Sequence, residues 1–185
     1  MASHDSIERM TYATGVNAIN ADTLSQISYK PTGVSDGVTY GYIANGYSAG
    51  YLDLVDRMTF STSGIAAHTD ATISEAKAGC VGISDNVTYG YITNGWFSTT
   101  ADRITFSTGV AASHTDALPV AVAGQMAMAY SDGTTYGYMV GGYHTAENIN
   151  DGERLTFSTG VMAAHSDADL STVRSYLGAF SDGAI

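Results

Sequence analysis

Three histidines recur at one position of an internal repeat, and an acidic residue stands two positions after each of them. The repeated residues are Asn20, His68, His114 and His165, followed by Asp22, Asp70, Asp116 and Asp167. Imidazole and carboxylate groups are ligands of zinc and related divalent ions. In a ring of units, however, such residues lie on a wide circle, too far apart to share an ion. The pattern therefore favours a turn whose Asp side chain accepts backbone N–H bonds, and we predict neither a metal nor a cofactor.

Three aromatic residues form the best candidate for a binding site. Tyr47, Trp96 and Tyr143 occupy one repeat position, directly after a glycine and before a loop of variable length. Exposed aromatic rings beside polar loops serve in sugar and protein recognition. We predict a glycan or a protein receptor as the partner. The alternative is that the three rings pack between repeat units.

Four acid-arginine pairs mark a third repeated position. Their cations are Arg9, Arg57, Arg103 and Arg154, which are four of only 7 lysine and arginine residues in the chain. A catalytic arginine has no reason to be copied into every unit, whereas a residue that braces strands or units does. We therefore predict a structural role for these arginines, worth about 0.2–1 kcal/mol each where exposed.

The sequence favours a protein that is not an enzyme and has no catalytic residues. It lacks a nucleophile elbow, a phosphate-binding loop and an HExxH motif. A lengthened loop at 144–153 offers Glu147, Asn148, Asn150 and Asp151 as candidate calcium ligands but lacks the EF-hand spacing. Cys80, the single cysteine, cannot form an intrachain disulfide and is predicted to be a small buried apolar residue in a strand.

The spacing of two independent markers defines a repeat of about 47 residues. The arginines are 48, 46 and 51 residues apart, and the turns that begin at Ser35, Ser84, Ser131 and Ser181 are separated by 49, 47 and 50. We predict a single repeat domain over 1–185, with closing strands at 1–24, units at 25–73, 74–120 and 121–170, and a partial unit at 171–185. Large and small residues alternate at period two within each unit, which predicts about four short strands and no convincing helix.

The segments YGYIANGY, YGYITNGW and YGYMVGGY carry a resemblance to the kelch family. Gly141-Gly142 matches the glycine pair of that family, and Asn45-Gly46 and Asn94-Gly95 match half of it. The aromatic of the third kelch strand corresponds to Tyr12, Phe60, Phe106 and Phe157. The later tryptophan of the family is missing, and the repeats have His or Asn near that place. The resemblance implies an all-β, kelch-like β-propeller of four-stranded blades, three complete and a fourth split between the termini and lacking one strand.

Composition limits the partners of such a protein. A net charge of −11 repels nucleic acid and anionic lipid. No apolar run is long enough for membrane insertion, and the first residues lack a signal-peptide profile. We therefore expect synthesis in a cytoplasm, with no nucleic-acid partner.

The Thr-, Tyr- and Gly-rich tandem units resemble phage tail-fibre and virion decoration proteins. This resemblance implies a non-enzymatic structural and recognition protein that assembles in the host cytoplasm and acts in the virion or outside the cell. The strand missing from the last blade predicts completion by further copies of the chain or by a neighbouring structural protein. Two alternatives stay open, a glycan-acting propeller enzyme of the kelch type and an intracellular kelch adaptor.

Overall fold

Short antiparallel strands joined by tight turns account for nearly all regular structure in this protein. The computed structural model describes residues 5–11, 13–44, 46–96, 98–115, 127–144, 147–175 and 177–179. A two-stranded sheet comes first in the chain, and three four-stranded sheets follow it. The prediction of an all-β fold is confirmed. The structure describes no helix long and apolar enough to cross a membrane.

Each sheet is a meander, because strands adjacent in sequence are also adjacent in space. The two-stranded sheet contains β1 (Glu8–Thr11) and β2 (Val16–Ile19). The first sheet contains β3 (Thr32–Ser35), β4 (Tyr40–Ala44), β5 (Val55–Thr59) and β6 (Gly64–Ala67). The second contains β7 (Val81–Ser84), β8 (Tyr89–Gly95), β9 (Ser98–Thr105) and β10 (Val110–His114). The third contains β11 (Met128–Ser131), β12 (Tyr136–His144), β13 (Glu147–Thr156) and β14 (Val161–Ala164).

Two segments predicted to be loops are instead parts of strands. Residues 98–101 lie in β9, and most of 144–153 lies in β13. The β12–β13 ladder continues past a bulge, with Tyr143 opposite Asn148 and His144 opposite Glu147. Pairing across this long hairpin satisfies backbone groups that a loop would leave to solvent.

The connections between sheets contain little regular structure. Single 3₁₀ turns occur at Thr69–Ala71 and Ser166–Ala168. Cys80 is only partly buried and precedes β7, so the prediction of a buried strand residue is wrong. It packs at the edge of a core cluster from the end of a connection. The predicted turn at 181–183 lies outside the described residues, as do Tyr12, Asn45 and Asp116.

The three four-stranded sheets pack face to face in chain order and bury apolar side chains between them. We call the face turned toward the next sheet in the chain the forward face, and the opposite one the rear face. Val34, Tyr42 and Val55 on the forward face of the first sheet form one core with rear-face residues of the second, including Ile104 and Phe106. A second core contains forward-face residues of the second sheet and rear-face residues of the third: Val81, Ile83, Tyr91, Met139, Leu155, Phe157 and Met162. Each large side chain buried in this way stabilises the fold by about 1.5–3 kcal/mol.

In the second and third sheets, the glycine within the Tyr-Gly-Tyr segment lets the preceding sheet approach closely. A Cβ on Gly137 would overlap Ile83 of the second sheet, and one on Gly90 would overlap Val34 of the first. Both glycines lie on rear faces, so the repeated Gly is explained by sheet stacking.

An aspartate organises each of the three described Ser-Asp turns. One carboxylate oxygen of Asp132 accepts the backbone N–H groups of Thr134, Thr135 and Tyr136 at 2.9, 2.7 and 3.0 Å. Asp36 and Asp85 accept the equivalent three bonds in the other two sheets. The side chain thus fixes the hairpin that joins the first and second strands of a sheet.

We expect Asp132→Ala to lower the free energy of unfolding at neutral pH by about 1–3 kcal/mol, because three N–H donors lose their acceptor. Burial alone would raise the pKa of Asp132, but the N–H donors of the turn together lower it. A carboxylate with a lowered pKa stabilises the fold above the ordinary pKa of Asp and loses this contribution as the pH falls through the lowered value.

The difference between wild type and Asp132→Ala should therefore shrink between about pH 7 and about pH 2. Urea titrations at both pH values measure it. Asp132→Asn, which keeps an acceptor oxygen, is the control and should stay close to wild type at neutral pH. A difference that grows in acid would contradict the assigned role of the carboxylate.

Candidate functional site

Aromatic side chains of the first and second sheets meet in one cluster. The rings of Tyr47 and Tyr51 are in edge contact at a centroid distance of 5.4 Å, and Tyr51 meets Trp96 edge-on at 6.2 Å. Tyr47 is 37% exposed and Tyr51 is 42% exposed. We call these residues, together with Tyr29 and Lys30, the aromatic cluster. It presents two tyrosine rings to solvent beside a partly buried tryptophan.

Isolated backbone bridges position the aromatic cluster. Tyr29 and Tyr47 exchange two N–H···O bonds of 2.9 Å, and Tyr47 also bridges to Tyr51. The N–H of Trp96 donates to the carbonyl of Ala78 at 2.9 Å. These bonds fix the segments where second strands end and first strands begin, so the cluster is held by backbone pairing rather than by a free loop.

Lys30 supplies the positive charge of the cluster. Its Nζ lies 4.5 Å from the ring centroid of Trp96 and 5.3 Å from that of Tyr29, within cation–π range. Lys30 has a φ of +56°, and Gly79, its repeat equivalent, has a φ of +69°. A left-handed backbone at this position is thus part of the repeat, and in the first unit a lysine adopts it.

The structure brings two of the three predicted binding residues together. Tyr47 and Trp96 join the aromatic cluster through Tyr51. Tyr143 lies in the long β12–β13 hairpin, opposite Asn148, and no ring contact described for it reaches the cluster. The predicted set is therefore divided between two places.

Sequence reasoning missed Tyr29, Lys30 and Tyr51. Tyr51 lies in the segment SAGYLDLV, whose extra length relative to the second unit was the available signal. Tyr29 and Lys30 precede β3, in a connection whose equivalent in the second unit is Ala78-Gly79. Departure from the repeat marked these residues, but only the fold shows that they meet.

The repeated arginines pack on tyrosines of their own sheet. Arg57, Arg103 and Arg154 lie 4.5, 4.3 and 4.5 Å from the ring centroids of Tyr40, Tyr89 and Tyr136. Arg9 contacts the hydroxyl of Ser63 in the first sheet instead. These contacts brace the second strand against the third, or one sheet against the next.

The acidic partners of these arginines point to the opposite face of their strands. Asp56 accepts the N–H of Ser25 at 3.1 Å, and Asp102 accepts that of Ser74 at 2.9 Å. Each acid therefore ties the connection that precedes its own sheet to the third strand of that sheet.

Two of the repeated histidines, His68 and His114, link their sheet to the one that follows. Nε2 of His68 donates to the carbonyl of Gly109 at 3.1 Å, and Nε2 of His114 donates to that of Gly160. Asn20 makes the equivalent bond to the carbonyl of Ser63 at 2.8 Å. Sequence reasoning assigned a turn here but did not anticipate this bond between sheets.

The acids that follow the histidines do not share one role. Asp22 accepts the N–H of Ile65 at 3.1 Å, whereas Asp70 and Asp167 lie in 3₁₀ turns without a side-chain cap. Among the described residues, no group of three or more His, Cys, Asp or Glu side chains is placed to hold a metal ion.

A buried ion pair joins the connection that precedes the second sheet to the third strand of that sheet. Nζ of Lys77, which is 1% exposed, is 3.2 Å from a carboxylate oxygen of Asp102, which is 0% exposed. The same Nζ donates to the carbonyl and the hydroxyl of Thr100, both at 3.0 Å. Glu75 accepts hydroxyl bonds from Ser98 and Thr100, which lower its pKa. This polar network fixes the connection that leads into the second sheet.

These features define the class of protein as an all-β protein of stacked, repeated antiparallel sheets. A solved structure of similar fold is titled "Structure of YjhT": it superimposes with a TM-score of 0.66 at 14% sequence identity, over 86% of this chain and 58% of that one. The chain thus spans little more than half the length of YjhT, and the likeness concerns the fold alone. No protein-family model matches the sequence, and no curated protein matches it.

Proposed function

We propose that this chain is a non-enzymatic recognition protein that binds a neutral glycan at the aromatic cluster. The observation that carries the proposal is the exposed pair Tyr47 and Tyr51, which a backbone bridge joins beside Trp96 and Lys30. Flat aromatic faces pack against the C–H faces of sugar rings, and their hydroxyl groups remain available for hydrogen bonds. With a net charge of −11, the protein as a whole disfavours anionic ligands.

The structural contacts of the repeated polar side chains support the proposal that this protein is not an enzyme. Three arginines pack on tyrosine rings, two histidines donate to backbone carbonyls, and three aspartates fix hairpin turns, as described above. Groups copied into each unit are thus engaged in holding strands and sheets together. A purified preparation that turns over a glycan would contradict this part of the proposal.

The proposal also covers the arrangement of the sheets and the assembly in which the protein acts. We infer a kelch-like β-propeller, in which the two-stranded sheet forms part of an incomplete blade beside three complete ones. The tandem Thr-, Tyr- and Gly-rich units support a role as a phage tail-fibre or decoration protein, assembled with copies of itself or with a neighbouring structural protein. In that setting the aromatic cluster would face a surface glycan of the host cell.

A glycan array with the purified protein tests the proposed activity. We expect binding to one or a few neutral glycans, and a loss of affinity of at least about tenfold in Tyr47→Ala/Tyr51→Ala, because exposed aromatic residues dominate such sites. Tyr143→Ala is the matched control: it removes the ring at the same repeat position but away from the cluster, so binding should be unchanged.

Lys30→Gly offers a second variant, since the equivalent Gly79 adopts the same left-handed backbone. It should retain the fold while removing the charge over Trp96, and it should weaken binding less than the tyrosine variant does. The proposal would be overturned by an array with no binding, or by binding that responds to Tyr143→Ala and not to the tyrosine pair.

A further inference from the structure

The rear face of the first sheet is less covered than the rear faces of the two sheets that follow. Phe60 is 38% exposed, whereas its repeat equivalents Phe106 and Phe157 are each 5% exposed. Ile43 and Met58 are likewise half-buried, although their equivalents Ile92, Ile104, Met139 and Leu155 are at most 1% exposed. A pocket of about 340 Å³ lies here, and its lining includes Gly33, Gly41, Met58 and Phe60.

The two later sheets show what covers this position. The ring of Tyr42 stacks on Phe106 at a centroid distance of 5.8 Å, and Tyr91 stacks on Phe157 at 6.3 Å. Each of these tyrosines is the second in a Tyr-Gly-Tyr segment, on the second strand of the preceding sheet. Phe60 is therefore placed to receive the same tyrosine from the second strand of a sheet that precedes the first.

In the described residues, the two-stranded sheet that precedes the first four-stranded sheet contains only equivalents of the third and fourth strands. β1 pairs with β2 along one edge, and no described strand pairs with its other edge. In the four-stranded sheets that edge of the third strand carries the Tyr-Gly-Tyr strand. An open edge of this kind accepts a further strand through backbone hydrogen bonds.

Arg9 points to the same conclusion. Its equivalents Arg57, Arg103 and Arg154 lie over the first tyrosine of the Tyr-Gly-Tyr segment beside them. Arg9 has no such ring in its own two-stranded sheet and reaches across to Ser63. One extended strand could therefore contact all three features. Its backbone would pair with the edge of β1, its first tyrosine would lie under the guanidinium of Arg9, and its second tyrosine would enter the pocket at Phe60.

We propose that the edge of β1 and the pocket at Phe60 form an acceptor site for one extended Tyr-Gly-Tyr strand supplied by a partner polypeptide. The strand runs antiparallel to β1, as Tyr42 pairs with Arg57 in the first sheet. Its second tyrosine then lies opposite Arg9 and stacks on Phe60, and its first lies opposite Thr11 under the guanidinium of Arg9. This site deepens the proposed function, since it rests on the incomplete blade and names the chemistry of the assembly partner.

A synthetic peptide with the sequence of residues 37–46 (GVTYGYIANG) is the probe. Titrated into the full chain and followed by calorimetry, it should bind at concentrations below about 1 mM. The same peptide with Ala in place of its second tyrosine should bind at least about tenfold more weakly, because it cannot stack on Phe60.

Two variants of the protein locate the site. Phe60→Ala removes an exposed ring and should weaken peptide binding by at least about tenfold, with circular dichroism confirming the fold. Arg9→Ala should also weaken binding, and it cannot disturb a core because this residue is exposed. Val87→Ala, at an exposed position in a turn of the second sheet, is the matched control and should leave binding unchanged.

Phe180 of the same chain is a competing candidate to fill the pocket at Phe60. It stands at the repeat position of Val34 and Ile83, which pack against the following sheet. If wild type binds no peptide but Phe180→Ala does, the chain fills its own pocket and the proposal is overturned. The proposal would also be overturned if the peptide bound neither wild type nor Phe180→Ala. Peptide binding that is unchanged in Phe60→Ala and in Arg9→Ala would overturn it as well. None of these outcomes bears on glycan binding at Tyr47 and Tyr51, so the two proposals fail separately.

Discussion

Replacing Lys77 by Met is expected to lower the free energy of unfolding by about 3–5 kcal/mol. Lys77 is buried with its Nζ on a carboxylate oxygen of Asp102 at 3.2 Å and on two oxygens of Thr100. Methionine fills a similar volume but removes the ammonium group that pairs with the buried carboxylate of Asp102. The loss should therefore far exceed that of an exposed salt bridge, which is typically about 0–1 kcal/mol.

Urea denaturation followed by tryptophan fluorescence measures this effect, because Trp96 lies in the same part of the fold. Lys30→Met is the matched control: it removes the only other lysine, whose charge is partly exposed, and should cost about 1 kcal/mol or less. Lys77→Met/Asp102→Asn should recover part of the loss, since the amide oxygen can still accept the N–H of Ser74. A loss below about 1 kcal/mol for Lys77→Met alone would show that the pair is not a structural requirement.

The second large effect is expected at Gly46, the glycine that precedes Tyr47. We expect Gly46→Ala to lower the free energy of unfolding by about 3 kcal/mol or more. The φ of Gly46 is +128°, a region that alanine rarely adopts, and a Cβ here would overlap the hydroxyl oxygen of Ser28. Its N–H also donates to the carbonyl of Lys77 at 3.2 Å, so a shift of the backbone would disturb the connection into the second sheet.

Gly50→Ala is the control for this substitution, since nothing lies within 4 Å of the Cβ that it would add and its backbone is not left-handed. It should be neutral or slightly stabilising. The melting temperatures of Gly46→Ala and Gly50→Ala, measured in parallel by thermal unfolding, test this prediction. Equal melting temperatures for both would contradict the close approach assigned to Gly46.

Local patterns made much of the fold predictable. Alternation at period two and the Ser-Asp turns depend on residues that are neighbours in sequence. The carboxylates of Asp36, Asp85 and Asp132 accept bonds from the residues just after them. The alternation of large and small residues placed the Gly of each Tyr-Gly-Tyr segment in a strand, whereas the close approach of Gly90 and Gly137 to the preceding sheets is seen only in the fold. The β12–β13 hairpin was harder, because polar residues in its extension follow no alternation that distinguishes a strand from a loop.

The candidate sites were predictable only in part. Tyr47 and Trp96 could be selected because a large ring recurs at this repeat position, directly after a glycine and before a loop of variable length. The approach of Lys30 to Trp96 spans more than one repeat unit, and no local signal reports such a contact. Phe60 has the same neighbours in sequence as Phe106. Its greater exposure therefore depends on whether the preceding sheet supplies a ring that stacks on it, as Tyr42 stacks on Phe106.

The bond between His114 and the carbonyl of Gly160 has a consequence for how this molecule can evolve. The second sheet offers the acceptor of this bond, the carbonyl of Gly109, on one side and its donor, His114, on the other. A unit that is complementary to its own copies can be duplicated in the gene and inserted without inventing a new interface. The number of units is then free to drift while each junction stays chemically the same, and variants of different length become accessible in a single genetic step.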